Sequence, residues 1–541
     1  MYAPTRAGRG FFVCERRKQS MQFVKDLDTP FLRLSRHGDV WSARHAANGT
    51  HIWGLPGAGK TSLAQWLAGA YMRAGCGGYV TAAKFDVISQ WLGYGRKHGR
   101  SNSIVLLDEN EGFNFVEYLM ARYGVDGIGS VVESLMGVID ASRRASGTAS
   151  QRGGEIFWED SSRNALRYCL PPIFSATGTL TIPDILRFIT TAATSLEQAA
   201  SAEWQRSSFM FRMLKLAAER PKVRLTEAAM QNIVNFWREQ WIAIPDKTRG
   251  NIVITIGASL DRFLHGRLNK FFCGKTTIVP EMSFHGAVLV DAKPTLTWGS
   301  DGAIAQQLFK NIWQKSVLAR NSLEPKHQER ILFQWNDEAQ ETVAPYDGEF
   351  LGLARESKTC VTNITQTLPT YFAKIGGDNP RDAAQALAFK FGAHLFCTNS
   401  CPETNEMASR MCGKVLTRRS NFSEGISQSF NEGMSAGNSQ NTGSSSSYGS
   451  SSGQGYSFNS NSGSSTGAGN NWGDSRGRSS TDNVSRGYSE SMEFAIEPGD
   501  FARCLKSGGP QNGNRVTAVW FQAGRRFNAT GTNFLITEFA Q

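Results

Sequence analysis

The sequence predicts an α/β fold, a parallel β-sheet covered by helices on both faces and interrupted by an all-α insertion. Three observations carry this reading. Short apolar runs of strand length, such as His51-Ile52-Trp53, Ile104-Val105-Leu106-Leu107 and Ala287-Val288-Leu289-Val290, alternate with segments of helical periodicity. A glycine-rich turn, Gly54-Leu55-Pro56-Gly57-Ala58-Gly59-Lys60-Thr61, joins the first of these runs to a helical stretch beginning at Ser62. Between about residues 115 and 245, strand-like runs are missing and apolar residues recur at helical spacing.

The glycine-rich turn fits G-x-x-x-x-G-K-[ST] and stands where a phosphate-binding loop must stand, after a strand and before a helix. Its glycines let successive backbone N–H groups point inward at a β-phosphate, at the positive end of the following helix. Lys60 is placed to reach the β- and γ-phosphates, and Thr61 to hold Mg²⁺. The candidate nucleotide contacts are therefore Gly54, Gly57, Ala58, Gly59, Lys60, Thr61 and Ser62, and the expected cofactors are ATP and Mg²⁺.

A chain of 541 residues is too long for one core, and its 40% hydrophobic content supports packed structure over most of the length. No run approaches 18 apolar residues, and the basic start (Arg6, Arg9, Arg16, Arg17, Lys18) lacks the apolar centre of a secretory signal, so a soluble, cytoplasmic protein is expected. Nine cysteines without paired spacing read as reduced thiols. A net charge of +11 admits a polyanionic partner without establishing one.

Taken in order, residues 1–114 make the first part of a nucleotide-binding domain. Asp39-Val40-Trp41-Ser42-Ala43 reads as a strand. Gly77-Gly78 breaks the chain ahead of the strand Tyr79-Val80-Thr81-Ala82-Ala83, which ends at Lys84-Phe85-Asp86. Residues 115–245 form the all-α insertion, in which Pro183-Asp184 opens a helix and 143–154 is a polar loop. The run Ile252-Val253-Ile254-Thr255-Ile256 reads either way, as a strand from its β-branched residues or as a helix continuing through Leu260, Phe263, Leu264 and Leu268. Residues 246–417 complete the nucleotide-binding domain, with a strand from Gly286 to Asp291 and a helix over about 303–320.

The second chemical landmark is Arg330-Ile331-Leu332-Phe333-Gln334-Trp335-Asn336-Asp337-Glu338, an apolar strand ending in two acids. Asp337 is placed to hold Mg²⁺ through water and Glu338 to polarise the attacking water. The strand Thr359-Cys360-Val361-Thr362-Asn363-Ile364-Thr365 ends on Gln366, positioned to feel a γ-phosphate. Arg355 just before it is a candidate arginine finger for a neighbouring subunit's site. His394, Cys397, Cys401 and Cys412 have zinc-ligand chemistry, but C-x₃-C across a strand–helix junction has poor geometry, and no metal is expected there. No Ser-His-Asp or Cys-His arrangement presents itself.

From 418 to 490 the chain turns to Ser, Gly and Asn with isolated aromatics, a composition that cannot bury enough apolar area to offset chain entropy. A disordered linker is expected there. Order returns over 491–541 as a short helix opened by Glu497-Pro498-Gly499-Asp500-Phe501, then strands at 515–521 and 533–539, a hairpin docking back on the parent sheet.

The succession of phosphate loop, Val80-to-Asp86 strand, helical insertion, Gly286-to-Asp291 strand, Asp337-Glu338 and Gln366 resembles the coupling-protein ATPases of type IV secretion and conjugation, the TraG/TraD class of the HerA-FtsK superfamily. Phe157-Trp158-Glu159-Asp160 looks like the opening of that family's all-α domain, and Cys397 to Gly413 like its last strand and following helix. The resemblance implies a P-loop NTPase (RecA-like) sheet and a homo-oligomeric ring, usually a hexamer. Such a ring hydrolyses ATP to move DNA, or delivers a relaxase–DNA complex to secretion-channel proteins. Two departures matter. The family usually begins with transmembrane helices, absent here, so the membrane would be met only through partners, at the periphery of the inner membrane. Where the family commonly shows Asp-Pro-Lys, this chain has Ala82-Ala83-Lys84, leaving Lys84 and Asp86 as candidates for any role there. Beside the motor stand two other readings: a nucleotide-gated adaptor for protein cargo, and an ATPase powering secretion or pilus assembly.

Overall fold

A computed structural model describes residues 23–145, 155–376, 379–433, 441–446, 462–467 and 475–541. Its centre is a nine-stranded sheet in the order Phe534–Ala540, Arg515–Gln522, Ala393–Phe396, Thr50–Trp53, Thr359–Thr365, Leu332–Asn336, Gly77–Thr81, Val288–Asp291, Ile104–Leu107. The seven strands from Ala393–Phe396 onward run parallel, and the two C-terminal strands are antiparallel. Every residue of Thr50–Trp53, Gly77–Thr81, Val288–Asp291, Leu332–Asn336 and Thr359–Thr365 is buried. Burial on both faces is why these strands read as continuous apolar runs rather than as alternation.

Gly77 and Gly78, expected to break the chain, instead begin a strand that ends at Thr81. A Cβ at Gly77 would stand 1.9 Å from the Ser283 carbonyl oxygen, and one at Gly78 2.5 Å from that of Phe333. The pair permits close backbone approach inside the sheet. Ahead of the sheet, Val40–Ser42 is the expected strand, paired with Pro30–Arg33.

Among the described residues from Phe115 to Cys273 the chain is helical, with long members at Ile128–Ala145, Glu155–Thr177 and Asp246–Leu260. The last includes the two-way run at 252–256. Ile252, Ile256 and Leu260 are buried at four-residue spacing while Ile254 is 67% exposed, so one helical face decided what β-branching left open. Pro183 enters the first turn of Ile182–Thr190, where the Thr181 side chain accepts a hydrogen bond from the Asp184 N–H. The helix expected at 303–320 starts earlier, as Thr295–Ala319, and Gly299 interrupts its helical backbone (φ 59°).

Beside the sheet, Asp291 and Lys293 form an ion pair of 2.5 Å with neither side chain exposed. Lys293 also donates to the Leu107 carbonyl (2.8 Å), and the Tyr79 hydroxyl donates to Asp291 (2.9 Å). Burial pushes the Asp291 carboxyl up and the Lys293 ammonium down.

At the C-terminal end, Arg515–Gln522 pairs with Phe534–Ala540 and, through Val519 to Gln522, with Ala393–Phe396, so the hairpin docks on the parent sheet. Residues 405–501 form a separate unit in which Lys414–Gly433 pairs antiparallel with Ser475–Phe494, and Asn441–Ser446 with Ser462–Gly467. A ribbon satisfies its backbone hydrogen bonds strand to strand and needs no apolar core, a route that composition alone does not weigh. The expected linker at 434–440, 447–461 and 468–474, residues 1–22 of the expected first part of the nucleotide-binding domain, and most of the polar loop at 143–154 lie outside the described residues. Among the described residues, no helix is long and apolar enough to cross a membrane.

Candidate nucleotide site

Because the central strands are parallel, the loops that follow them open on one edge of the sheet. Gly54 follows Thr50–Trp53, Lys84 lies three residues past Gly77–Thr81, Asp337 and Glu338 follow Leu332–Asn336, Gln366 follows Thr359–Thr365, and Thr398 lies just past Ala393–Phe396. The strand ending at Gln366 lies between the one that feeds the glycine loop and the one that feeds the acids.

The loop is held from both sides. The Gly54 N–H donates to the Gln366 carbonyl (3.2 Å), and the Leu55 N–H to that of Thr398 (3.2 Å). Gly59 adopts φ 82° at the mouth of the helix Lys60–Arg73, a conformation glycine takes without strain. Space excludes larger residues as well: a Cβ on Gly54 would lie 2.9 Å from Cys397 Cβ, and one on Gly59 2.4 Å from Val516 Cγ2. Ala58 is buried and Thr61 exposed, with Ser62 between those extremes. Lys60 Nζ donates to the loop's own carbonyls, Gly54 (2.7 Å) and Leu55 (3.0 Å).

Glu338 has a left-handed backbone (φ 47°), a conformation that costs a non-glycine residue about 1–2 kcal/mol and concentrates at functional turns. Its carboxylate accepts from three side chains: Lys84 Nζ on Oε1 (3.3 Å), Gln340 Nε2 on Oε2 (2.9 Å), and Gln366 Nε2 on both (3.4 and 3.3 Å). Gln340 is fixed in turn by the Thr365 hydroxyl, which donates to its Oε1 (2.6 Å). Burial pushes the Glu338 carboxyl up, but the Gln340 hydrogen bond and the charges of Lys84 and Lys60 together hold it below its usual range. Lys60 is lowered by burial, against the opposing charges of Glu338 and Asp337, so ammonium and acids share one electrostatic neighbourhood.

Asp337 behaves oppositely to its neighbour. Burial and the adjacent Glu338 charge raise it to about 6, against the pull of Lys84 and Lys60. A carboxyl must lose its proton to hold a divalent cation. The Mg²⁺-dependent part of nucleotide affinity should therefore weaken as pH falls through about 6, by roughly tenfold per unit below it. Titrating ATP affinity with and without Mg²⁺ between pH 5 and 8 checks this. In Asp337→Asn the Mg²⁺-dependent component should keep only the pH dependence of the terminal phosphate itself, whose second ionisation lies at about 6.

Neither a family model nor a curated protein sequence matches the chain. Solved structures do. The bacterial conjugative coupling protein TrwBdeltaN70, in its trigonal form with sulphate, aligns at TM-score 0.51 with 13% identity over 97% of this chain and 90% of that one. TrwB in complex with the GTP analogue GDPNP aligns at 0.50 with 12% identity (97% and 90% covered), and TrwB with ADP and Mg²⁺ at 0.50 with 13% (97% and 91%). The chain has the fold of the coupling protein TrwB. The expected α/β architecture, a mostly parallel sheet with a C-terminal antiparallel hairpin, is observed directly, and the α/β fold is like TrwB's.

Within this TrwB-like fold, Lys60, Glu338 and Gln366 come together and Arg355 does not join them. Arg355 is exposed on the turn before Thr359–Thr365, whose length of about 20 Å at ~3.3 Å per residue separates it from Gln366. In its own chain it lies at the opposite edge of the sheet from Lys60, Glu338 and Gln366. Asp86 sits in the first turn of Phe85–Lys97. His394, weighed as a metal ligand, instead accepts a hydrogen bond from Trp53 Nε1 (3.1 Å), while Cys397 packs under Gly54. Sequence reasoning missed Gln340 and Thr365 entirely and ranked Lys84 low. The sequence signals for Lys84 were its place just past a strand and its match to the lysine of the family's Asp-Pro-Lys; that the strand lies beside the one bearing the acids appears only in the folded sheet.

Proposed function

We propose that the chain is an ATP-hydrolysing ring motor of the coupling-protein kind, a homo-oligomer of six subunits that recruits and moves DNA or a relaxase–DNA complex for secretion. The observation that carries this reading is the shared neighbourhood of Lys60, Asp337 and Glu338, with Gln366 on the Glu338 carboxylate. The site fits the groups it would take. Gly54 and Gly59 pack too closely on Cys397 and Val516 to carry side chains, the space over Gly57 is open, Thr61 is exposed, and two acids share the electrostatic neighbourhood of the loop's ammonium. Thr61 and Asp337 would hold Mg²⁺, which supplies charge neutralisation at the β- and γ-phosphate oxygens.

This chain's own groups account for the rest. Lys60 would exchange the carbonyls of Gly54 and Leu55 for phosphate oxygens, a stronger bond because the acceptor is then charged as well as the donor. Amides of the loop from Gly54 to Ser62 would hold the β-phosphate at the helix N-terminus. Glu338, kept ionised by Gln340, Lys84 and Lys60, would take a proton from the attacking water, with Gln366 orienting that water. Arg355 would serve the adjacent subunit. The protein would work in the cytoplasm and reach the inner membrane through secretion-channel partners.

The test is ATP turnover with and without DNA, combined with displacement of a protein roadblock bound to that DNA. The motor is expected to show DNA-stimulated turnover and displacement, both falling steeply with salt because phosphates are the grip. Cargo capture that requires nucleotide but ignores DNA would replace the motor with a nucleotide-gated adaptor. Turnover stimulated only by channel or pilus subunits would assign an assembly ATPase.

A further inference from the structure

The phosphate loop and its acids account for a triphosphate and leave the rest of a nucleotide without a seat. Glu338 and Gln366 fix where the γ-phosphate end points, toward the strands Thr359–Thr365 and Leu332–Asn336 on one side of Thr50–Trp53. The α-phosphate end must leave the loop toward the other side, where Ala393–Phe396 and Arg515–Gln522 follow in the sheet. Val519 pairs with Phe396, so Val516 projects past the end of that strand, on the same edge as the phosphate loop.

The residues that flank 506–514, Leu505 and Val516, and Ala540 on the partner strand are tied to the loop through three contacts. Val516 packs on Gly59 so closely that a Cβ there would meet it at 2.4 Å, and the same side chain lies 3.3 Å from where a Cβ on Gly508 would stand. Leu55 donates to Thr398, whose hydroxyl donates to the Leu505 carbonyl (3.1 Å). Trp66 of the loop's helix donates to the carbonyl of Ala540 (3.2 Å), on the partner strand of the hairpin. The segment Lys506-Ser507-Gly508-Gly509-Pro510-Gln511-Asn512-Gly513-Asn514 thus borders the phosphate loop.

That segment has the character of a neutral polar seat rather than of a phosphate clamp. Lys506 and Arg515 are both paired to Glu538 (2.9 Å each). Its shape is set in advance: Gly508 and Asn514 take left-handed backbone (φ 91° and 53°), the Asn514 N–H donates to the Gly509 carbonyl (2.8 Å), and the Asn512 side chain donates to that of Gly508 (2.9 Å). Gln511 is exposed. A preformed turn of amide and carboxamide groups suits the uncharged, hydrogen-bonding part of a nucleotide.

We infer that the loop 506–514 seats the ribose and base of the bound nucleotide, an inference that rests on the nucleotide site proposed above. The C-terminal hairpin then belongs to the catalytic unit, and a nucleotide bridges the loop at 54–62 and the loop at 506–514.

Photolabelling of the full chain with 8-azido-ATP tests this, with excess inorganic tripolyphosphate as competitor. Trypsin cuts after Lys506 and Arg515, which isolates the segment as one peptide. The expected result is label in 507–515, prevented by tripolyphosphate. Label prevented by tripolyphosphate but carried by another peptide overturns the seat and leaves the phosphate loop standing. Label that tripolyphosphate does not prevent overturns both. As an independent check, Gln511→Ala with Asn512→Ala should weaken ATP about fivefold, one hydrogen bond's worth, and leave tripolyphosphate affinity unchanged. Equal losses for the two ligands would contradict the inference.

Discussion

Glu338→Gln should leave ATP bound and unhydrolysed, with kcat lowered by about 10²–10⁴-fold, the usual contribution of a positioned general base. The substitution keeps the shape of the side chain and the acceptor oxygen that faces Gln340 or Gln366, but removes the group that takes the proton. It also removes a negative charge from beside Asp337, where that charge is one of the two causes of the raised carboxyl. Mg²⁺-nucleotide affinity should therefore hold or improve while turnover collapses. Filter binding with labelled ATP, followed by chromatography of the retained nucleotide, separates the two effects. Retained ATP is the expected result, and retained ADP at the wild-type rate would show that Glu338 is not the base.

Asp291→Ala should destabilise the fold by about 3–5 kcal/mol, the loss typical when one partner of a buried ion pair is removed. Lys293 would be left fully buried beside the Phe271 ring, its Nζ 3.9 Å from the centroid, with the Leu107 carbonyl as its remaining acceptor. The Tyr79 hydroxyl would lose its acceptor on Asp291 and keep the Gln306 carbonyl (3.2 Å). Replacing both members, as Asp291→Leu with Lys293→Met, removes the charges together and should recover most of the loss. Urea unfolding of the wild type and these two variants checks this. A single variant as stable as the wild type would mean that the pair is not buried as described.

What was legible in the sequence was what sits close together in it. The phosphate loop is eight consecutive residues, and Asp337-Glu338 closes one strand, so local spacing sufficed for both. Of the three donors on Glu338, Lys84 and Gln340 were less visible than Gln366, because contact and sequence separation are unrelated: Lys84 reaches Glu338 across 254 positions. Gln340 lies only two residues from Glu338, yet nothing local marks it, since the left-handed turn that brings the two side chains together appears only in the folded backbone. Gly77-Gly78 was misread as a break for a related reason: the Ser283 and Phe333 carbonyls that press on it come from elsewhere in the chain. At 252–256 two local preferences conflicted, and burial of Ile252, Ile256 and Leu260 decided between them. The Ser/Gly/Asn-rich segment is a different case. Its composition excludes a core, but a backbone-paired ribbon requires none.

The central claim is that one nucleotide is held by the loop at 54–61 and hydrolysed by the acids at 337–338. ATP hydrolysis by Lys60→Ala, measured beside the wild type at saturating Mg-ATP, tests it most directly. The account predicts turnover in the wild type and none above background in the variant, with the fold intact by circular dichroism. Full hydrolysis by Lys60→Ala would contradict it.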